Sequence, residues 1–313
     1  MIDGIANPSE PAYWSDCPHS LSPTSVRYQI THTTTYHYDR PVTLAPHTLR
    51  LRPRCNGQQK LHQFSLELEP QPKQLSENVD LDGNSLIKAW FDDQPISQFT
   101  LKAVSNVETL CTNPFVYLLE PWAVSLPMDY PSSLLSRLQP YLSGQFSPPT
   151  GAIDPEAMML AQEIWQETHG NTTSFLTVLN QRIYTRCRYL LRETGSPLPP
   201  GVTWRTQQGS CRDYAVLFVE VCRAVGIAAR FVSGYQEGDP DSTDRHLHAW
   251  AEAYLPGAGW RGYDPTHGLV VSDRHIALVS SALASDTAPV SGHLKTGGAN
   301  AEMTYELWIQ IAG

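Results

Sequence analysis

The sequence predicts an α+β protein in which an all-β N-terminal domain precedes a core with one central helix packed on an antiparallel sheet. Three observations support this fold class. Short alternating runs fill residues 26–107, each bounded by Pro, Gly, Asn or Asp, as expected of antiparallel strands. An apolar run of helical period follows Cys211. Two alternating runs then flank a turn near Pro256, which is typical of a hairpin.

Changes in composition along the 313 residues predict the domain boundaries. Residues 1–25 are rich in Pro and Ser without periodicity, and we expect them to form a flexible arm. The β domain then occupies residues 26–112. Residues 113–151 are crowded with proline and are interpreted as a linker, with a short helix over residues 134–141. Residues 152–313 are assigned to the core.

Two helices and a loop are predicted at the start of the core. Asp154 precedes a proline, a combination typical of a helix start, and the predicted helix covers residues 157–169. A shared apolar face predicts a second helix over residues 172–186. Residues 197–208 are then expected to form a loop that leads to the central helix.

The central helix carries a cysteine in its first turn. Apolar residues recur at three- and four-residue steps from Tyr214 to Val225, which predicts one buried stripe. Ser210 is suited to cap this helix with Asp213 as its capping-box partner, and Gly226 ends it. Cys211 therefore lies among unpaired backbone N–H groups at the positive end of the helix dipole. Such groups stabilise a thiolate and can receive an oxyanion.

A histidine and an aspartate follow on two neighbouring strands. If the turn is centred on Pro256, His248 faces Asp264 directly, and a shift by one residue leaves the two as diagonal neighbours on one face. A carboxylate that orients one imidazole nitrogen leaves the other free to take a thiol proton. We therefore predict a triad of Cys211, His248 and Asp264.

Two further histidines leave a metal site as an alternative. His246 shares a strand face with His248, and His267 follows Asp264 closely. Histidines and a carboxylate can ligate zinc, but the sequence brings no thiolate pair with them. The favoured prediction is the triad, with no metal and no cofactor.

The motifs of this region resemble those of the transglutaminase-like superfamily. The chain reads GSCRDYA, then GIAARFVSGY, then HAWAEAYLPGAGW and DPT. That superfamily includes transglutaminases, cysteine peptidases and amidases on an α+β core of papain-like type. Residues 26–54 resemble the N-terminal region of its bacterial branch, and the tail from His293 resembles a closing strand, which we assign to the core. The resemblance implies Cys211 as nucleophile, His248 as base and Asp264 as orienter.

The sequence departs from this family at two points. Many bacterial relatives carry a glycine-arginine-aspartate-tyrosine motif past the triad, and residues 270–275 read VVSDRH here, a related run without the tyrosine. Transglutaminases often hold the oxyanion with a tryptophan well upstream of the cysteine. The matching region here has no tryptophan, and Ile183 and Tyr184 stand near that position.

The predicted function is thiol-dependent acyl transfer on a peptide or other amide. An acyl-enzyme forms on Cys211, and water or an amine resolves it, with water as the default acceptor. The sequence does not choose between a peptidase, an amidase and a transglutaminase. A catalytically silent scaffold or peptide-binding module of the same fold is the alternative. Trp204 and Trp250 are candidates for lining the substrate site, with packing in the core as the other interpretation.

Composition argues against several classes of partner and location. A net charge of −9 and a pI of about 5.6 argue against nucleic acid and anionic membrane surfaces. No run approaches the roughly twenty apolar residues of a membrane span. The first residues have neither the basic nor the apolar segment of a secretory signal. Six widely spaced cysteines without C-x-x-C predict reduced thiols, and we expect a cytoplasmic location.

Overall fold

The N-terminal part of the chain is built entirely of strands. The computed structural model describes residues 25–144, 152–192, 195–238, 246–295 and 298–312. The predicted arm over residues 1–25 lies outside this part of the chain, apart from Ser25. The first six strands are β1 (Val26–Val42), β2 (His47–Leu49), β3 (Gln59–Glu69), β4 (Gln74–Val79), β5 (Ser85–Trp90) and β6 (Ile96–Thr109).

Helices and strands then alternate through the rest of the chain. Within the described ranges, the α-helices are α1 (Ser132–Leu138), α2 (Pro155–Glu167), α3 (Thr172–Arg186), α4 (Pro200–Thr206) and α5 (Cys211–Ala224). The later strands are β7 (Arg188–Tyr189), β8 (Gln208–Gly209), β9 (Ala229–Gln236), β10 (His248–Leu255), β11 (Gly259–Asp264), β12 (Leu269–Val270), β13 (His275–Ser281), β14 (Val290–Ser291) and β15 (Ala301–Ala312). The predicted α+β class is confirmed.

Two antiparallel sheets form the β domain, with strand orders β15-β1-β6-β3 and β14-β2-β5-β4. Side chains of β1 alternate between buried and less buried positions from Tyr28 to Thr34, because one face of the strand is covered. Leu49 of the second sheet and Leu101 of the first belong to one apolar cluster. The two sheets therefore share a core between their facing sides.

The second half of the chain is organised around a five-stranded antiparallel sheet of order β12-β11-β10-β9-β13. Helix α5 packs on this sheet, and nearly all of its side chains are buried. Ala215 and Val216 of α5 contact Phe231 of β9 and Ala249 of β10 in one apolar cluster with Cys211. This packing fixes the first turn of α5 beside the start of β10.

The C-terminal strand corrects the sequence analysis, which assigned the closing strand to the core. Strand β15 pairs with β1 along its whole length, from Arg27 opposite Ala312 to Tyr38 opposite Ala301. It therefore completes the first sheet of the β domain. Alternation in the sequence predicts a strand and its buried face, but it does not specify which edge the strand pairs with.

The predicted helices also match the structure, with one addition. Asp154 caps α2 by accepting the backbone N–H groups of Glu156 and Ala157, and α3 spans the predicted residues 172–186. The expected loop over residues 197–208 instead contains α4. Pro200 stands at the first position of α4, where its missing N–H costs no helical hydrogen bond.

Two buried polar side chains join the β domain to the core sheet. Strand β13 is an edge of that sheet, and its register shifts between Ala277 and Val279. Gln59 exchanges hydrogen bonds with the backbone of Ala277, at 2.9 and 2.8 Å. Asn84 does the same with the backbone of Ser280, at 2.8 and 2.9 Å. These amides satisfy the free edge and hold the β domain against the core.

Candidate active site

The first turn of α5 presents Cys211. The predicted capping box is present, since the Ser210 N–H donates to Asp213 Oδ2 at 2.7 Å. Asp213 Oδ1 accepts the Leu198 N–H at 2.7 Å and an Arg192 N–H at 2.6 Å. This buried carboxylate ties the incoming loop to the helix start. Cys211 is only 6% exposed and sits where the helix offers unpaired N–H groups.

His248 and Asp264 meet across the β10–β11 hairpin. Tyr263 lies opposite Ala251 and Gly259 opposite Leu255, so the hairpin is centred one residue beyond Pro256. The shift leaves His248 and Asp264 as diagonal neighbours, the second of the two registers considered. His248 Nε2 donates to Asp264 Oδ2 at 2.8 Å. The imidazole is thus oriented with Nδ1 left for the Cys211 thiol, which hydrogen-bonds His248.

Asp264 accepts hydrogen bonds from two more histidines. His267 Nδ1 and His275 Nε2 donate to the same Oδ2, at 2.8 and 3.0 Å, and the Thr266 N–H donates to Oδ1 at 3.0 Å. Asp264 is fully buried. One carboxylate oxygen therefore collects three imidazole N–H groups, an arrangement that the sequence analysis missed. His275 lies on β13, outside the hairpin, so no local sequence pattern predicts that it reaches Asp264.

Burial and charge act in opposite directions on this cluster. Burial lowers the pKa of His248, but the Asp264 carboxylate and the Cys211 thiolate outweigh it and raise that pKa to about 10. Burial favours protonation of Asp264, but His248 and the other two imidazoles hold its pKa well below the usual range. Burial lowers the pKa of His275 despite its bond to Asp264. The site therefore favours a protonated His248 beside an ionised Asp264.

Tyr189 is a second contact of the nucleophile that the sequence analysis did not single out. It lies on β7, and its hydroxyl hydrogen-bonds Cys211. Burial and the neighbouring thiolate raise the pKa of Tyr189, so the hydroxyl keeps its proton. Tyr189 comes five residues after Tyr184, the position considered for the missing tryptophan. A neutral phenol at this point is a hydrogen-bond donor directed at the reacting atom.

The two predicted substrate-lining tryptophans lie elsewhere. Trp204 on α4 packs against the main apolar cluster, and the Arg186 guanidinium lies 5.9 Å from its ring. Trp250 is 1% exposed and packs edge-to-face on His275, with ring centroids 5.3 Å apart. Neither lines the cavity at Cys211. In both cases the core-packing interpretation fits the structure.

A cavity of about 550 Å³ opens in front of Cys211 and His248. Its walls come from both halves of the molecule, including His32 and Tyr36 of β1 and Tyr305 of β15. The volume lies within the range of ligand-binding pockets. The nucleophile thus faces a space where a substrate group can bind.

The histidines also bear on the metal alternative. Among the described residues, His248, Asp264 and His275 could hold an ion, because their ligand atoms lie within 4.8 Å of one another. Those nitrogens already donate to Asp264, so a metal would have to replace the protons in these bonds. His246 is outside this group and bonds the Tyr305 hydroxyl instead. The geometry fits the hydrogen-bonded arrangement better than the zinc site proposed with His246 and His267.

A cysteine at a helix start, facing a histidine and an aspartate on an antiparallel sheet, defines a papain-like α+β class. Two family models match the chain: the bacterial transglutaminase-like N-terminal region over residues 28–108, and the transglutaminase-like superfamily over residues 158–265. Together they cover more than half of the sequence. The chain therefore belongs to the transglutaminase-like superfamily.

Individual relatives agree with this assignment. An uncharacterized protein of Mycobacterium tuberculosis is 29% identical over 294 residues, covering 88% of this chain and 89% of its own length. A protein-glutamine gamma-glutamyltransferase of Pseudomonas aeruginosa is 33% identical over 144 residues, covering 43% of this chain and 21% of that protein.

One solved structure shares the whole fold. The crystal structure of a proposed cysteine protease from Cytophaga hutchinsonii aligns with a TM-score of 0.68 at 20% identity, covering 93% of this chain and 92% of the other. At that identity the likeness concerns the fold alone. In the described part of this chain, no helix is long and apolar enough to cross a membrane.

Proposed function

We propose that this protein is a thiol-dependent acyl-transfer enzyme acting on a peptide or other amide bond. The observation that carries this proposal is that Cys211 and His248 meet at one cavity, with Asp264 bonded to His248 from behind at 2.8 Å. Family membership supports a cysteine-dependent reaction, since one relative is described as a protein-glutamine gamma-glutamyltransferase. The three side chains supply the nucleophile, the proton donor and the orienting carboxylate.

The reaction follows from the charge state of the pair. The Cys211 thiolate attacks the amide carbonyl, forming the C–S bond while the carbonyl electrons move to oxygen. The Cys211 N–H at the helix start and the Tyr189 hydroxyl stabilise this oxyanion. Protonated His248 then gives its proton to the leaving nitrogen, the C–N bond breaks, and a thioester remains on Cys211.

Water completes the cycle in the simplest form of the reaction. Neutral His248 takes a proton from the water as it attacks the thioester, and Cys211 leaves as a thiolate. An amine in place of water would give a transglutaminase by the same steps. We favour hydrolysis because water is the acceptor present at the highest concentration.

The pH dependence of alkylation tests the proposed ion pair. Because the raised pKa of His248 keeps the imidazole protonated up to about pH 10, its charge supports the Cys211 thiolate at low pH. Cys211 should react with iodoacetamide at pH 5 far faster than exposed Cys55 does. Peptide mass spectrometry reads each cysteine in the same sample.

Two variants complete this test. His248→Ala should remove the low-pH reactivity of Cys211 and leave the profile of Cys55 unchanged. His37→Ala, on the exposed side of β1, is the matched control and should leave both profiles unchanged. If Cys211 reacts no faster than Cys55 at pH 5, the ion pair is absent and the scaffold alternative leads.

Tyr189→Phe tests the oxyanion donor. We expect its acylation rate to fall by about 10² to 10³, the usual cost of losing one such donor, with little change in KM. The measurement is the release of p-nitrophenol from N-acetyl-phenylalanine p-nitrophenyl ester under single-turnover conditions. Tyr184→Phe, at a half-exposed position, is the control and should behave as wild type. Equal rates for both variants would remove Tyr189 from the mechanism.

A further inference from the structure

We propose that the β domain builds the substrate pocket, and that this pocket selects an uncharged, apolar group attached to the reacting amide. The inference rests on the proposed function, because the pocket is defined by its opening onto Cys211. It assigns a role to the N-terminal sheet and names a substrate class for the site.

The observation behind this proposal is the register of β1 and β15. Tyr36 lies opposite Met303, and Thr34 lies opposite Tyr305. Side chains alternate along both strands, so these four residues point to the same face of the sheet. All four line the cavity that contains Cys211. The edge of the sheet therefore forms one wall of the site.

Contacts across the cavity fix this wall in place. The Tyr305 hydroxyl bonds His246 Nδ1, and the two rings meet edge-to-face with centroids 5.7 Å apart. Deeper in the cavity, His32 Nδ1 lies 3.0 Å from the hydroxyl of Tyr235 on β9. Through these contacts, β15 and β1 of the β domain are each bonded to the core beside Cys211. The β domain is thus part of the site and not a separate module.

The two faces of β15 differ in charge and in exposure to solvent. Glu302, Thr304 and Glu306 alternate with Met303 and Tyr305 and are exposed to solvent. The strand therefore offers charged groups to water and apolar or neutral groups to the cavity.

The lining is suited to an uncharged group. Apolar residues of the core, including Phe231 and Leu247, line the cavity together with Tyr36 and Met303. Burial lowers the pKa of His32 to about 4, so this imidazole of the cavity lining is neutral at physiological pH. Among the described lining residues there is no carboxylate to balance a cation.

The guanidinium groups on the opposite side are already engaged. Arg192 pairs with buried Asp213 at 2.6 Å. Arg212 donates to the carbonyl oxygens of Gly195 and Arg192. An anionic substrate group would have to compete with these partners. A cationic group therefore loses water without finding a counter-charge, and an anionic group has to draw a guanidinium from its present partners, whereas an apolar group gains from burial.

Alkylation by a matched set of reagents tests this selection without a known substrate. The set is iodoacetamide and its N-benzyl, N-carboxymethyl and N-(2-trimethylammonioethyl) derivatives. The rate at Cys211 is divided by the rate at exposed Cys55 in the same chain, which cancels intrinsic reagent reactivity. We expect this rate ratio to be about tenfold higher for the N-benzyl reagent than for iodoacetamide. For both charged reagents, we expect the ratio to be no higher than for iodoacetamide.

Variants on the two faces of β15 locate the effect. Met303→Asp should abolish the N-benzyl preference, measured as the ratio of the N-benzyl rate to the iodoacetamide rate at Cys211 of the same variant. Thr304→Asp introduces the same charge on the exposed face, one residue away, and should keep the preference. Met303→Gln keeps the side-chain length and should also reduce the preference, which guards against misfolding of the aspartate variant.

The outcomes separate this inference from the proposed function. If iodoacetamide itself does not react selectively with Cys211, the proposed function fails and the pocket loses its role with it. If Cys211 is selectively reactive but Met303→Gln and Met303→Asp both keep the preference, the β domain does not select the substrate. In that second case the proposed function stands.

Discussion

Replacing Cys211 by alanine is expected to abolish acyl transfer. In the proposed reaction, every later step depends on the thioester at this residue, so no slower version of the same route remains. By analogy with other nucleophile deletions, the loss should be at least about 10⁴-fold. The measurement is the burst of p-nitrophenol from N-acetyl-phenylalanine p-nitrophenyl ester, together with the mass of the acylated chain.

The burst gives a direct count of acylated sites. Wild type should release about one equivalent per chain in the burst and carry the acyl mass on the peptide containing Cys211. Cys55→Ala removes an exposed thiol that does not line the cavity at Cys211 and should keep the full burst. A burst that survives in Cys211→Ala would show that another residue is the nucleophile.

Asp264→Ala is expected to reduce activity and stability together. His248 would lose the acceptor that orients it, and replacing the carboxylate of a catalytic triad typically lowers kcat by about 10⁴. His267 and His275 would lose the same acceptor inside the fold. Removing one member of a buried charged network costs about 3–5 kcal/mol. The measurements are the acylation rate and the free energy of unfolding in urea.

The pH dependence of this stability loss has a definite sign. The pKa of Asp264 is held well below its usual value of 3.8, so its contribution is fully present above that value. The difference between wild type and Asp264→Ala should therefore be large at pH 7 and shrink as the pH falls below about 4. Asp92→Ala, an exposed residue 3.7 Å from Lys73, should change neither activity nor stability appreciably. A pH-independent difference would contradict the role given to the ionised carboxylate.

The local geometry of this site can be predicted from the sequence. The cap formed by Ser210 and Asp213 places Cys211 in the first turn of a helix, and the helix start is decided by a few adjacent residues. The turn length sets the relation between His248 and Asp264 to within one residue, and both possible registers keep them in reach. Hydrolysis and a cytoplasmic location stay predictions.

Other parts depend on contacts between distant segments. Trp204 and Trp250 lie near the motifs in the sequence, yet packing turns both away from the cavity. His275 reaches Asp264 only because β13 pairs with β9 at the far edge of the sheet. No spacing within the sequence specifies that pairing.

The sequence by itself determined the fold class and the proposed catalytic residues, because caps, alternation and turn length act over a few residues. The tertiary structure decided that β15 joins β1, that three histidines share Asp264, and that the β domain walls the cavity. Each of these depends on which strand edges and buried faces meet. An alternating pattern shows that a strand needs a neighbouring strand to pair with. Which strand that is depends on the competition among all available sheet edges in the folded chain.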